Sequence, residues 1–112
     1  SLAALLCALP VSLFAERLRG WAEGAGIWAP VVYGAEWCKD YRRSNQLLTR
    51  LAVDHVDVDL EAEPERAVEA EALSGRKRIP VVHFADGLVL SEPSDEELEN
   101  ALRERGLVPE GR

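Results

Sequence analysis

One cysteine in this sequence lies where a thiol can act as a nucleophile. Cys38 follows the β-branched and aromatic run Val31–Tyr33, which predicts a strand, and it precedes a stretch with helical periodicity. Unpaired N–H groups at a helix start favour a thiolate over a thiol, and Lys39 and Arg42 add positive charge nearby. A thiolate is the species that attacks a disulfide sulfur. We therefore expect Cys38 to be redox-active rather than a buried apolar residue.

The sequence has no second cysteine three positions after Cys38, where a resolving thiol commonly stands. Tyr41 stands three positions after Cys38, where a Cys-x-x-Cys motif has its second cysteine. A mixed disulfide at Cys38 would then be released by an external thiol, or by Cys7 if the N-terminal segment lies close. Cys7 stands in an apolar run, and we expect it to be a buried apolar residue. Two cysteines do not form a disulfide framework of the secreted kind, so a reducing, cytoplasmic setting is expected.

Composition disfavours two other kinds of site. His55 and His83 are isolated, and no cysteine pair has zinc-like spacing, so we predict no metal site and ordinary strand roles for both histidines. The formal net charge of -7 argues against nucleic acid as a partner. Acidic residues concentrate between 54 and 71, whereas basic residues cluster around Cys38 and over Arg76–Arg78. An acidic chain can therefore carry a locally basic pocket.

The elements that hold Cys38 are predicted in the order β-α-β-α-β-β-α. Periodicity indicates a helix over 37–51, and alternation indicates a strand over 55–59. Pro64 is expected to open a second helix that ends at Gly75 and carries the apolar stripe Ala67, Val68 and Leu73.

The last part of the chain predicts a hairpin followed by a helix. Strands over 79–84 and 88–90 flank the turn signal Asp86-Gly87, and Ser94 with Glu97 forms a capping box. A crossover helix makes the first two strands parallel, and the hairpin adds an antiparallel pair. The predicted class is α/β: a thioredoxin-like fold with a mixed four-stranded sheet flanked by helices.

The first 29 residues are predicted to be a helical extension of a domain over 30–112. Leucines recur at helical spacing, which favours an amphipathic helix packed on the domain. The apolar run Leu2–Ala15 is shorter than a membrane span, and Pro10 interrupts it. The alternative is the tail of a membrane anchor with Arg17 and Arg19 as its basic flank.

Several segments in the same order resemble glutaredoxins, and within them the actinobacterial mycoredoxin-like group, with a monothiol Cys-Lys-Asp-Tyr site. The resemblance covers 31–106. Its segments are Tyr33-Gly-Ala-Glu-Trp-Cys38, Val56-Asp-Val-Asp59, Gly75-Arg-Lys-Arg-Ile-Pro-Val-Val82, and Phe84-Ala-Asp-Gly87 followed by Pro93-Ser94.

The resemblance implies a binding site for a low-molecular-weight thiol around Cys38. Ile79-Pro80 is similar to the family's cis-proline site, where the preceding residue's backbone pairs with the thiol ligand's peptide. Ser94 and Asp95 open the last helix, where the family binds an anionic end of the thiol. The family's Gly-Asp-type signature is absent at this position, and Asp95 brings a negative charge instead. This argues against glutathione as the ligand. The complete set of implied ligand-binding residues is Trp37, Lys39, Tyr41, Arg78, Ile79, Pro80, Ser94 and Asp95, with Lys39 and Arg78 placed to meet carboxylates.

The resemblance further implies a thiol–disulfide oxidoreductase that reduces mixed disulfides between proteins and a low-molecular-weight thiol. Mycothiol or glutathione would be its co-substrate, with no tightly bound cofactor. Three alternatives stay open. They are a single-cysteine enzyme like arsenate reductase, iron–sulfur carriage with Cys-Lys-Asp-Tyr in place of Cys-Gly-Phe-Ser, and a thioredoxin-fold interaction module without turnover.

Overall fold

The fold is described from a computed structural model over residues 28–109. Four strands form one sheet in the order β2-β1-β3-β4. β1 and β2 pair in parallel, whereas β1 with β3 and β3 with β4 pair antiparallel, as the crossover and the hairpin predict. In chain order the elements are β1 (Val31–Gly34), α1 (Lys39–Arg50), β2 (Val56–Asp59), a 3₁₀ turn (Pro64–Arg66), α2 (Ala67–Ser74), β3 (Val81–His83), β4 (Val89–Ser91) and α3 (Asp95–Glu104).

Alternating side chains along the strands build an apolar core on each face of the sheet. α1 and α3 cover one face and α2 covers the other. The first core contains Val32, Tyr41, Leu47, Leu48, Val53, Val82, Phe84, Leu98, Ala101 and Leu102. The second contains Val31, Tyr33, Val56, Val58, Ala70 and Val81. β1 contributes to both cores, so the strand that leads into Cys38 is fixed from both sides.

A buried polar cluster fixes α2 against β1. The Arg66 guanidinium lies 3.0 Å from Oε2 of Glu69. The hydroxyl of Tyr33 donates a hydrogen bond to the same carboxylate at 3.1 Å. Because buried charges are costly unless paired and hydrogen-bonded, these contacts hold the start of α2 at one position over the sheet. That position sets one wall of the functional site.

Local signals in the sequence account for the ends of the helices. Ser94 and Glu97 form the predicted capping box of α3. Gly75 ends α2 in the left-handed conformation, with φ at 76°. Gly87 has φ at 99° in the predicted turn between β3 and β4. α1, α2, β2 and β3 are one to three residues shorter than predicted, whereas β1 extends one residue further, to Gly34, and β4 is shifted by one residue.

The predicted apolar stripe of the second helix is wrong at Ala67 and Val68 and holds only at Leu73, which packs against the second core. Ala67 is exposed, Val68 is 72% exposed, and Ala70 is the buried residue of α2. Ala70 and Leu73 share the face of α2 that packs against the second core, whereas Val68 falls on the opposite side of the helix. No helix within residues 28–109 is long and apolar enough to cross a membrane. Cys7 and the predicted N-terminal helix lie outside the described residues.

Candidate functional site

Cys38 occupies the N-cap position of α1, immediately after the turn that leaves β1. Its backbone is extended, its N–H donates to the carbonyl oxygen of Ala35 at 2.9 Å, and its own carbonyl accepts the N–H of Arg42 at 3.1 Å. These two bonds fix the residue where the strand ends and the helix begins. The side chain is partly exposed. The thiol is therefore accessible at the helix end where N–H groups favour negative charge.

The peptide before Pro80 is the partner of this thiol. The Ile79–Pro80 peptide bond is cis, which confirms what the resemblance implies for this pair. The thiol of Cys38 donates to the carbonyl oxygen of Ile79, with 3.8 Å between Sγ and O. The next carbonyl, that of Pro80, accepts the N–H of Glu92 at 2.8 Å. The loop before β3 and the loop after β4 thus meet beside Cys38.

A groove of about 480 Å³ begins at this point and runs between α2 and the loop before β3. Trp37, Val68 and Ile79 give it apolar walls, and the first two are largely exposed. Its charged lining comes from Glu61, Glu71, Arg76, Lys77 and Arg78. Of the residues predicted to bind a thiol ligand, Trp37, Arg78 and Ile79 line this groove.

Two arginines of the groove share one carboxylate. Oε1 of Glu92 lies 2.7 Å from Nη2 of Arg76 and 3.9 Å from Nε of Arg78. Glu92 is not among the residues that the sequence predicts for the site. Glu92 directly precedes the recognisable pair Pro93-Ser94. That position gives no indication that its side chain contacts Arg76, sixteen residues earlier in the chain.

Tyr41 is buried in the first core rather than in the groove lining. Its hydroxyl accepts a hydrogen bond from the side chain of Asn45 at 2.9 Å. Burial, and after it the carboxylate of Asp57, raise the pKa of Tyr41 above its ordinary value. The tyrosine therefore stays neutral under physiological conditions and packs between α1 and β1.

Ser94 and Asp95 lie at the start of α3, where contacts within the chain occupy both side chains. The hydroxyl of Ser94 accepts the N–H of Glu97 at 3.1 Å. A carboxylate oxygen of Asp95 lies 3.4 Å from Nε of Arg43, and Nη2 of the same arginine donates to the carbonyl of Pro93 at 3.2 Å. These contacts tie the start of α3 to α1. Lys39 is exposed in the first turn of α1.

Comparisons with known proteins place the chain among redox proteins. No protein-family model matches it. Two curated proteins of Mycobacterium tuberculosis, from strains CDC 1551 and H37Rv, are each 32% identical to it over 75 residues. The match covers 66% of this chain and 89% of each relative, and both relatives carry the name putative glutaredoxin.

A solved structure confirms the predicted fold. The crystal structure of a glutaredoxin from Archaeoglobus fulgidus matches with a TM-score of 0.61 at 23% identity, covering 70% of this chain and 89% of that one. At this identity the likeness shows the thioredoxin-like fold. The matched fold places Cys38 at the start of its first described helix, facing the loop before β3.

Proposed function

This chain belongs to the glutaredoxin family, and we propose that it exchanges thiols through the single sulfur atom of Cys38. Membership makes the protein a thiol–disulfide oxidoreductase. The observation that carries the finer proposal is the position of Cys38, at the start of α1 with its sulfur 3.8 Å from the carbonyl of Ile79. That carbonyl marks where the backbone of a bound thiol can lie beside the reacting sulfur.

The reaction consists of two exchanges. In the first, the Cys38 thiolate attacks the ligand's sulfur in a mixed disulfide between a protein and a low-molecular-weight thiol. A bond forms between Cys38 and the small thiol, and the substrate protein leaves as a thiolate that takes up a proton. In the second, the thiolate of another small thiol molecule attacks this adduct. Cys38 leaves as a thiolate, and the two small molecules leave joined by a disulfide.

Tyr41 supports a monothiol route. A dithiol route needs a second cysteine close to the first, and the residue three positions on is a buried tyrosine that packs in the core. Within residues 28–109, Cys38 is the one cysteine. Release of the adduct therefore falls to an outside thiol.

The groove beside Trp37 supplies the binding surface for the small thiol in this proposal. Trp37 and Ile79 offer apolar contact next to the sulfur, and Arg78 stands further along the same groove. Lys39, Tyr41, Pro80, Ser94 and Asp95 complete the set that the family resemblance implies. Glutathione or mycothiol would enter as a co-substrate and leave as a product, in a reducing compartment such as the cytoplasm.

A turnover assay with glutathionylated and mycothiolated substrate proteins tests the proposal. The Cys38→Ser variant is expected to lose all activity, because serine cannot form the mixed disulfide. Cys7→Ser is the matched control and is expected to retain activity. Activity that survives Cys38→Ser would refute the central claim, and loss on Cys7→Ser alone would refute the single-thiol route. A wild-type protein inactive with both substrates would favour an interaction module.

A further inference from the structure

Glu92 is tied to the reactive centre through its backbone. It lies in the loop between β4 and α3, and its N–H donates to the carbonyl of Pro80 at 2.8 Å. The preceding carbonyl, that of Ile79, is the one that faces the thiol of Cys38. Glu92 thus has a fixed position one peptide away from the carbonyl that contacts the sulfur.

The backbone of Glu92 adopts a conformation that ordinarily favours glycine. Its φ is 50°, in the left-handed region where a side chain is disfavoured. The side chain extends from this position towards the groove, and only a quarter of it is exposed. The loop therefore presents a carboxylate to the groove at a place where glycine would be the less strained residue.

The carboxylate of Glu92 contacts two of the cations that line the groove. It lies 2.7 Å from Arg76 and 3.9 Å from Arg78. A carboxylate of an incoming ligand would compete with Glu92 for both guanidinium groups.

The charges around the groove balance once Glu92 is included. Three cations and two carboxylates line it, and Glu92 supplies the third carboxylate. The groove therefore has no net charge with which to attract an anion. Without Glu92 it would carry one net positive charge, centred on Arg76 and Arg78.

We infer that Glu92 is a specificity-determining residue: by holding Arg76 and Arg78, it selects small thiols that carry no carboxylate over those that do. The inference rests on the proposed function, because it concerns the ligand of the same cysteine. Electrostatic specificity of this kind comes from a repulsive element as well as from attractive ones. Glu92 is that repulsive element, and the apolar wall at Trp37 and Ile79 favours an uncharged ligand.

The test measures adduct formation at Cys38, which does not require turnover. In a Cys7→Ser background, the protein is equilibrated with glutathione disulfide or with bis(2-hydroxyethyl) disulfide. The Cys38 thiolate attacks one sulfur, the adduct forms, and the other half of the reagent leaves as a thiolate. Intact-mass spectrometry then gives the equilibrium constant for an anionic and for an uncharged adduct. Glu92→Gln is the variant, and Glu99→Gln, which removes a similar charge beside Arg103 on α3, is its control.

Glu92→Gln is expected to raise the equilibrium constant for the glutathione adduct about threefold or more. Removing a unit charge at about 6 Å has that effect even at the dielectric constant of water. The constant for the hydroxyethyl adduct should stay the same, and Glu99→Gln should change neither. The glutathione effect should shrink in high salt.

An unchanged ratio of the two constants in Glu92→Gln, or an equal change in Glu99→Gln, would overturn the assignment. Glu92→Asn repeats the comparison with an uncharged residue that tolerates the left-handed backbone. The inference and the proposed function can fail separately. Adducts that form at Cys38 without catalytic turnover would refute the function, while the ratio would still decide the role of Glu92.

Discussion

The aromatic ring of Tyr41 fills the space that a Cβ atom on Gly34 would need. Gly34 ends β1, and Tyr41 lies in the first turn of α1, so this contact packs the strand against the helix on either side of Cys38. The residue that stands where a second thiol would be is therefore a packing residue. The same contact explains why β1 ends in glycine: any side chain there would collide with the ring.

Gly34→Ala is expected to lower the free energy of unfolding by about 1–3 kcal/mol, the usual cost of overpacking a core. The ring of Tyr41 is buried and cannot move aside without disturbing its neighbours. Urea denaturation measures the loss. In a Tyr41→Leu background the same change should cost clearly less. Equal costs in both backgrounds would contradict the steric explanation.

Tyr41→Cys is expected to give Cys38 a resolving partner. In a Cys7→Ser background, mild oxidation should join the two thiols of the variant in a disulfide, so that thiol titration finds no free thiol. The adduct of a small thiol should then be released without an external thiol. Tyr41→Ser is the matched control, because it creates the same cavity without a sulfur atom. Both variants should lose about 3 kcal/mol of stability, the cost of removing a buried aromatic ring. Adduct release by Tyr41→Ser would contradict the prediction.

Sequence reasoning succeeded where the signal was local. The turn at Gly87, the capping box at Ser94 and the alternation in β2 each depend on residues close in sequence, and each was confirmed. The prediction failed at Ala67 and Val68, because three apolar residues on a short helix do not define which face is buried. Packing against the sheet decides it, through Ala70 and Leu73.

The site was predictable only in part for the same reason. Cys38 and Ile79-Pro80 stand in recognisable segments, so their association is predictable from the sequence. The pairing of Glu92 with Arg76 depends on how the loop after β4 returns to the groove. No periodicity or motif encodes that contact, since it joins two irregular segments.

His55 and Asp57 form a pair at the edge strand β2, with 3.2 Å between Nε2 and Oδ2. Burial lowers the pKa of His55, but the hydrogen bond to Asp57 and the bond from Nδ1 to the carbonyl of Val53 outweigh it. The net pKa of His55 is raised above 6.5. Burial likewise raises the pKa of Asp57, but contact with His55 reverses this and the net pKa falls below 3.8.

The stabilisation from His55 should be complete below about pH 6.5 and disappear as pH rises through its raised pKa. That from Asp57 should be present above pH 3.8 and disappear as pH falls through its lowered pKa. His55→Gln is therefore expected to cost about 0.5 kcal/mol more at pH 6 than at pH 8.5, a small effect because Asp57 is more than a third exposed. Urea denaturation at both pH values checks this. The difference should become much smaller in an Asp57→Asn background, which removes the main partner of the imidazole.

Ser94→Ala is expected to lower the free energy of unfolding by about 1 kcal/mol, because it removes the acceptor for the N–H of Glu97. Ser94→Asp keeps an acceptor at the same position and should lose much less. Thermal or urea denaturation distinguishes the two variants. Equal losses would show that the hydroxyl contributes something other than the cap.

Trp37→Ala is expected to raise KM for a mixed-disulfide substrate about fivefold while leaving kcat unchanged. The indole is 68% exposed next to Cys38, so a ligand that covers about 40 Å² of it would gain roughly 1 kcal/mol. Trp28 provides a matched control because it is 69% exposed but lines a different cavity, with Phe84. Neither substitution should change the urea midpoint much, since exposed side chains contribute little to folding. If Trp28→Ala raised KM as much as Trp37→Ala, the loss would reflect a general surface effect, and the groove beside Cys38 would not be the place where the small thiol binds.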